Sequence, residues 1–298
     1  MSYQFRSIGG DLPLHCVFRY ARCMPIFVLR ASVFRLLLGA ALAAGAVAQA
    51  ACSRPIVVPV SSIGVAIIVD GDKVGGVYPE VLRELGEKSG CLFVFPVYPR
   101  ARSDQMFYEA GTADLTLPAS YVAERAQLAT FVPLIKVLPT LVSVRPLPVE
   151  MTSVKQLLDS KALRGAVVRG FTFGKDYQTL VDALVKEGRM DVVNDINIVA
   201  RMLVAGRVDF TLVPPHLVQA ALGTEARGTP LAGQFKSYPL EGLPRIDSGV
   251  YISRRSLSEA DQEELRNLFS AAARNEMFVK GHLKYYAAES IKGIVTRP

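Results

Sequence analysis

At 298 residues, half of them hydrophobic and a fifth charged, the chain can fill two modest cores, which excludes a disordered or collagen-like class. The formal net charge of +7 is concentrated at the start, where residues 1–51 hold five arginines (Arg6, Arg19, Arg22, Arg30, Arg35) and one acid, Asp11. Without that segment the 34 basic and 27 acidic residues fall to 29 and 26, a net +3, and no dense basic stripe remains, so nucleic acid is not an expected partner.

The leader comes first in the chain. Residues 24–35 read as a basic n-region, residues 36–47 are apolar and small, and Ala48-Gln49-Ala50 fits the small-x-small cleavage rule. This predicts a secretory signal within 1–51, starting at Met24 after an upstream extension, and a periplasmic location. The apolar run is short for a membrane span. Gln49 stands where lipoprotein signals carry an aliphatic residue, which argues against lipidation of Cys52.

Export changes how the cysteines read. Cys16 and Cys23 leave with the leader, and Cys52 and Cys91 remain in an oxidising compartment. Cys52 precedes a predicted strand at 56–60 and Cys91 opens one at 92–97. These strands should be neighbours across a right-handed crossover. A structural disulfide is therefore expected, worth roughly 4 kcal/mol in the chain-entropy model.

Strand and helix then alternate, the pattern of parallel βαβ units. Val77, Val81, Leu82 and Leu85 mark a helix face that stops at Gly90. Residues 102–110 read as a helix with Met106 and Phe107 inward, and 114–117 as the third strand. Residues 140–144 form a β-rich crossing to a second series. That series has a strand at 165–168, a helix at 175–187 with Leu180, Val181, Leu184 and Val185 on one face, a strand at 191–193, a helix at 195–205 and a strand at 208–213. Residues 248–253 read as the returning strand. Ser258-Glu259-Ala260-Asp261 is a capping-box-like start for a last helix carrying Leu265, Leu268 and Phe269.

Gly-x-x-Asp before an apolar strand and a proline occurs twice, as Gly111 to Pro118 and Gly206 to Pro214. Each copy reads as a helix C-cap, a turn and a buried strand, one in each half. Ligands of open α/β sheets sit beyond the carboxyl ends of the strands. Pro118-Ala119-Ser120 and Pro214-Pro215-His216 would then line one cleft.

Four segments together resemble the family-three extracellular solute-binding proteins. They are Gly76-Val77-Tyr78-Pro79-Glu80-Val81-Leu82, the block from Gly111 through Glu124-Arg125 to Phe131-Val132-Pro133, Val168-Arg169-Gly170-Phe171-Thr172, and residues 248–254. The resemblance spans 54–289. It implies the α/β type II periplasmic binding protein fold, with two lobes, each a doubly wound sheet, joined by two crossover strands. The lobes would be 52–143 with 248–298, and 144–247. It also implies a monomeric, amino-acid-receptor-like protein that closes over a small solute, anionic or amino-acid-like, and hands it to an ABC-transporter permease. Two alternatives stay open: a periplasmic enzyme resembling a cyclic-acid dehydratase, and a sensory protein that presents its ligand to a membrane receptor.

The resemblance makes Arg125 the clamp for a ligand carboxylate, a task suited to a bidentate guanidinium. Ser120, Ser61 and Ser62 follow strand ends and could donate hydroxyl hydrogen bonds. Arg100 and Arg102 would add positive charge. Gly170 to Gly174 could cradle an anion at a helix N-terminus, with Thr172 adding a hydroxyl, Arg169 a charge, and Phe171 and Phe173 a stacking surface. Related amino-acid receptors carry an Asp for the ligand ammonium where this chain has Pro214, so a standard α-amino acid is not the expected solute; an organic acid, or an amino acid held differently, stays open. No catalytic group, cofactor or metal site is expected.

Overall fold

The computed structural model describes residues 52–231 and 234–298; the leader expected over 1–51 lies outside them. Among the described residues, no helix is long and apolar enough to cross a membrane.

The first lobe opens with β1 (Ile56–Val57), the hairpin of β2 (Ile68–Asp70) and β3 (Lys73–Gly75), α1 (Val77–Ser89) and β4 (Phe93–Val94). Helix α1 buries Val77, Tyr78, Val81, Leu82 and Leu85 and stops at Gly90. β1 and β4 pair in parallel, with Ile56 opposite Phe93. The regular ladder is shorter than the predicted strands, and a bridge between Val60 and Val97 extends it. Next comes α2 (Arg100–Asp104), which runs on as a π-helical turn over Gln105–Ala110. Then follow β5 (Leu115–Ser120), α3 (Ala123–Leu128) and β6 (Ala129–Val137). Phe107 of the π-turn is buried as predicted, while Met106 is half-buried.

The second lobe holds β7 (Thr140–Ser143), α4 (Val154–Asp159), β8 (Gly165–Val168), α5 (Lys175–Lys186), β9 (Met190–Val193), α6 (Ile196–Val204), β10 (Thr211–Val213), α7 (Pro215–Glu225) and β11 (Lys236–Tyr238). β8 and β9 are parallel. A parallel bridge from Gly165 to Phe210 carries the sheet toward β10. β7 lies antiparallel between β10 and β11. Leu180, Val181 and Leu184 of α5 are buried as predicted, but Val185 is 43% exposed.

The chain returns to the first lobe in β12 (Ile246–Ser253), α8 (Glu259–Arg274), α9 (Met277–Leu283), α10 (Ala288–Ile291) and β13 (Val295–Thr296). Here the sheet order is β13-β6-β12-β5, all antiparallel. Ser258 caps α8 through its hydroxyl, which accepts from the Asp261 N–H at 3.1 Å.

The crossing falls earlier than the sequence predicts. Thr140–Ser143 pairs wholly within the second sheet, so the chain leaves the first lobe at Leu138-Pro139. It comes back between β11 and β12. Ile246 pairs with Val137 and Asp247 with Lys136, so the returning strand lies beside the departing one. Sheet membership supports a division into 52–138 with 246–298, and 139–245.

The lobes touch through α7. Gly64 of the first lobe has φ +52, and a Cβ there would stand 2.5 Å from the Leu217 carbonyl of α7. His216 of α7 stands edge-on to His282 of α9, with ring centroids 5.2 Å apart. His282 Nδ1 lies 2.7 Å from the Phe278 carbonyl, which only accepts, so that nitrogen carries the proton. His216 Nδ1 and His282 Nε2 are buried without a hydrogen-bond partner among the described residues. Tyr78 faces His282 edge-on, and Tyr286 faces His216 and donates its hydroxyl hydrogen bond to the His216 carbonyl. Burial holds both imidazoles below their ordinary value of 6.5; the neighbouring His282 lowers His216 further, while the bond to Phe278 partly offsets the shift of His282.

Two predictions follow from this architecture. The Cys52–Cys91 bridge has formed, with Cα atoms 5.0 Å apart and a sequence separation of 39. Urea unfolding of the double Cys→Ser protein should show a loss of about 4 kcal/mol; a change below about 1 kcal/mol would show that the loop is already constrained when unfolded. For the histidines, the folded state binds fewer protons than the unfolded chain. Their stabilising share is therefore complete above about pH 6.5 and is lost as pH falls toward the depressed folded values. The slope per imidazole reaches about 1.4 kcal/mol per pH unit. Melting temperature should drop between pH 7 and 5, and the double variant His216→Leu, His282→Leu should flatten that slope; equal slopes in the two proteins would refute the assignment.

Candidate functional site

One helical face builds the charged part of the cleft. Arg100, Asp104 and Tyr108 are spaced i, i+4, i+8 along α2 and its π-turn, so they stack on one side. Arg100 Nε lies 3.3 Å from Asp104 Oδ1. Arg125, on α3, places its Nη2 3.5 Å from Asp104 Oδ2. Its guanidinium also covers the Tyr108 ring at 4.9 Å from the centroid. Two arginines therefore share one carboxylate, and the cluster carries one net positive charge.

Neighbouring elements fix these side chains. Arg100 Nη1 donates to the Pro118 carbonyl at 3.3 Å. Tyr251 on β12 accepts from the Val122 N–H at 2.8 Å, which pins the turn leading into α3 and hence the height of Arg125. Burial raises the Tyr108 hydroxyl above its ordinary value, and the two arginines pull the other way. Tyr108 Oη has no hydrogen-bond partner among the described residues.

Between the lobes lies a tight cavity of about 40 Å³ that opens to solvent. The first lobe contributes Ile63, Tyr78, Arg100, residues 118–120, Arg125, Ile135, Val137 and Ser248. From the second lobe come residues 170–173, Pro214, His216 and Leu217. Gly170 has φ +83, and a Cβ there would stand 3.4 Å from Arg100 Cγ and 3.5 Å from Asp104 Oδ2. The second lobe thus brings backbone, not side chain, against the charged cluster. Phe171 meets Phe173 edge-on at 6.2 Å, and Phe173 meets Tyr177 at 5.0 Å. A larger outer groove continues from Arg125 and residues 170–172 toward Tyr121, Arg169 and Arg245.

The structure brings Arg100, Ser120, Arg125, Phe171 and Thr172 together on the cavity wall. It leaves four other expected residues off it. Ser61 and Ser62 are half-buried, and the turn after them presents Ile63 instead. Arg102 is two residues past Arg100, about 200° round the helix, and is exposed beside Gln105. Arg169 is exposed on the outer groove. The expected amide cradle is reduced, because the Phe171 N–H already donates to the Val168 carbonyl at 3.1 Å. Pro118 lies inside β5 rather than at its end.

Sequence reasoning missed Asp104 and Tyr108, whose signal was the i, i+4, i+8 spacing from Arg100. It also missed Tyr78, which counts as an apolar face residue of α1 yet turns its hydroxyl toward Ser248; burial raises that phenol and the serine bond partly offsets it. His216, placed in the cleft by the Pro214-Pro215-His216 reading, lines the wall at the start of α7.

No family model matches the chain, and a comparison with curated proteins found no match. Solved structures do match. A histidine kinase sensor domain with similarity to periplasmic binding proteins superposes with a TM-score of 0.60 at 15% identity, covering 82% of this chain and 98% of that one. The substrate binding protein of an amino acid ABC transporter gives 0.59 at 16% identity, covering 78% and 99%. An ancestral amino acid-binding protein, a precursor of cyclohexadienyl dehydratase, gives 0.59 at 14% identity, covering 78% and 95%. At such identities the likeness establishes architecture alone: the chain has the two-lobe α/β fold of the type II periplasmic binding proteins.

Proposed function

We propose that this protein is a periplasmic solute-binding protein that closes its lobes over a small carboxylate-bearing solute and delivers it to an ABC-type permease. The observation that carries the reading is the pair Arg100 and Arg125 on the wall of a cavity that both lobes line. A net positive charge, screened from water by the second lobe, favours an anion. The two crossing strands, β6 to β7 and β11 to β12, form the hinge. Binding needs no covalent step, no cofactor and no second copy of the chain. Transport is supported by the likeness to a transporter's binding protein, and signalling by the likeness to a sensor domain. Crosslinking in cells separates these two: a permease favours delivery, and a membrane kinase favours sensing.

One observation favours an enzymatic reading beside it. His216 lines the cavity, where burial holds it a neutral imidazole that can accept a proton only weakly, so a general-base role would need bound substrate to raise its basicity. Incubation with cyclic acids and a search for dehydrated product tests this directly.

For the binding reading, a thermal-shift screen of small carboxylic acids on the mature protein is decisive, since bound solute raises the melting temperature in proportion to affinity and concentration. At least one carboxylate should stabilise the protein, and Arg125→Ala should weaken it about tenfold or more. A screen in which only cations or neutral compounds stabilise the fold would overturn the proposal.

A further inference from the structure

We infer that the cavity selects a compact monocarboxylate with an apolar body and no ammonium group, an inference that rests on the solute-binding reading. Its first support is the charge count. Arg100 and Arg125 reach the wall, and Asp104 is engaged by both, 3.3 and 3.5 Å from their nitrogens. Among the described residues lining the cavity there is no Asp or Glu. One carboxylate neutralises the cluster. A zwitterion would bring the same carboxylate together with an ammonium that meets no counter-charge, and a desolvated unpaired charge is strongly disfavoured.

The second support is the chemistry of the remaining wall. The same wall carries Ile135 and Val137 from the first lobe and Phe171, Pro214 and Leu217 from the second. These offer apolar surface; the Pro118 carbonyl accepts from Arg100 and that of Pro214 from the Leu217 N–H at 3.0 Å, and a neutral carbonyl brings no formal charge to pair with an ammonium. The hydroxyls of Ser120, Ser248 and Thr172 can hydrogen-bond but carry no charge. A second carboxylate would also find no free cation, because Arg102 and Arg169 lie off this wall.

Calorimetry on the mature full-length protein tests the inference with pairs that differ only in the amine: 4-methylpentanoate against leucine, and 3-phenylpropanoate against phenylalanine, with succinate as the dianion. The acid lacking the amine should bind about tenfold or more tightly than its amino-acid partner and than succinate. Arg125→Gln should weaken both monocarboxylates, and Pro214→Asp, which adds a carboxylate to the wall, should narrow the gap within each pair. Equal or tighter binding of leucine or phenylalanine overturns the inference and leaves the solute-binding reading standing. A preference for succinate overturns it in the same way. No heat with any of the five compounds at millimolar concentration, combined with an empty thermal-shift screen, removes both.

Discussion

The cleft depends on the carboxylate of Asp104. Two guanidinium groups approach it, from side chains only 9% and 23% exposed, and its own side chain is 15% exposed. Without that carboxylate, two like charges would face each other where water screens them poorly. With it they coexist, but loosely. Separations of 3.3 and 3.5 Å are ion-pair contacts rather than tight hydrogen bonds, and Arg100 Nε and Asp104 Oδ1 have no hydrogen-bond partner among the described residues. The cluster is held in place yet retains donors that an incoming carboxylate could use.

Asp114 shows what a satisfied pair looks like in the same lobe. It accepts from both Arg54 terminal nitrogens at 2.7 Å and from the Val57 N–H at 2.8 Å. Burial alone would raise its carboxyl, but the bonds from Arg54, Ser256 and Val57 outweigh that and hold it below its ordinary value. This pair clamps β1 to the turn that starts β5. Asp209, its counterpart in the second lobe, accepts from the Arg164 N–H at 2.9 Å and likewise ties a loop to a strand. The repeated Gly-x-x-Asp units are therefore built into the sheets, and the carboxylate that pairs with Arg100 and Arg125 lies ten residues upstream of the first one.

Much of the fold is legible in the sequence because its helices carry clean apolar faces and its strands alternate with them. β6 is harder to see: its nine residues include Pro133 and Lys136, and its burial is irregular because β12 and β13 cover it along different stretches. The short β11 and the elements after α8 have too few residues to show a period. At the site, Arg100 and Arg125 are visible by residue type, since a guanidinium near a strand end is conspicuous. Asp104 is not, because a helix taken to begin at Arg102 hides the spacing that stacks it on Arg100. Ser61, Ser62 and Arg102 fail for a related reason. Whether a residue faces the cavity changes with one step along a turn or two along a helix, finer than periodicity resolves.

Charge and shape are divided between the lobes, and this division bears on how closure would work. Among the described residues lining the cavity, the formal charge belongs to the first lobe, through α2 and α3; the second lobe supplies Gly170, Phe171, Pro214 and Leu217. A carboxylate could therefore dock on the open first lobe by charge alone. Closure then adds apolar contact and removes water, which strengthens the ion pairing already made. A ligand shifts the open–closed balance only by its extra affinity for the closed form. An acid with no apolar body offers the second lobe little to bind, so it would occupy the arginines without holding the lobes shut. On the proposed reading the first lobe would read charge, and the second what the charge is attached to.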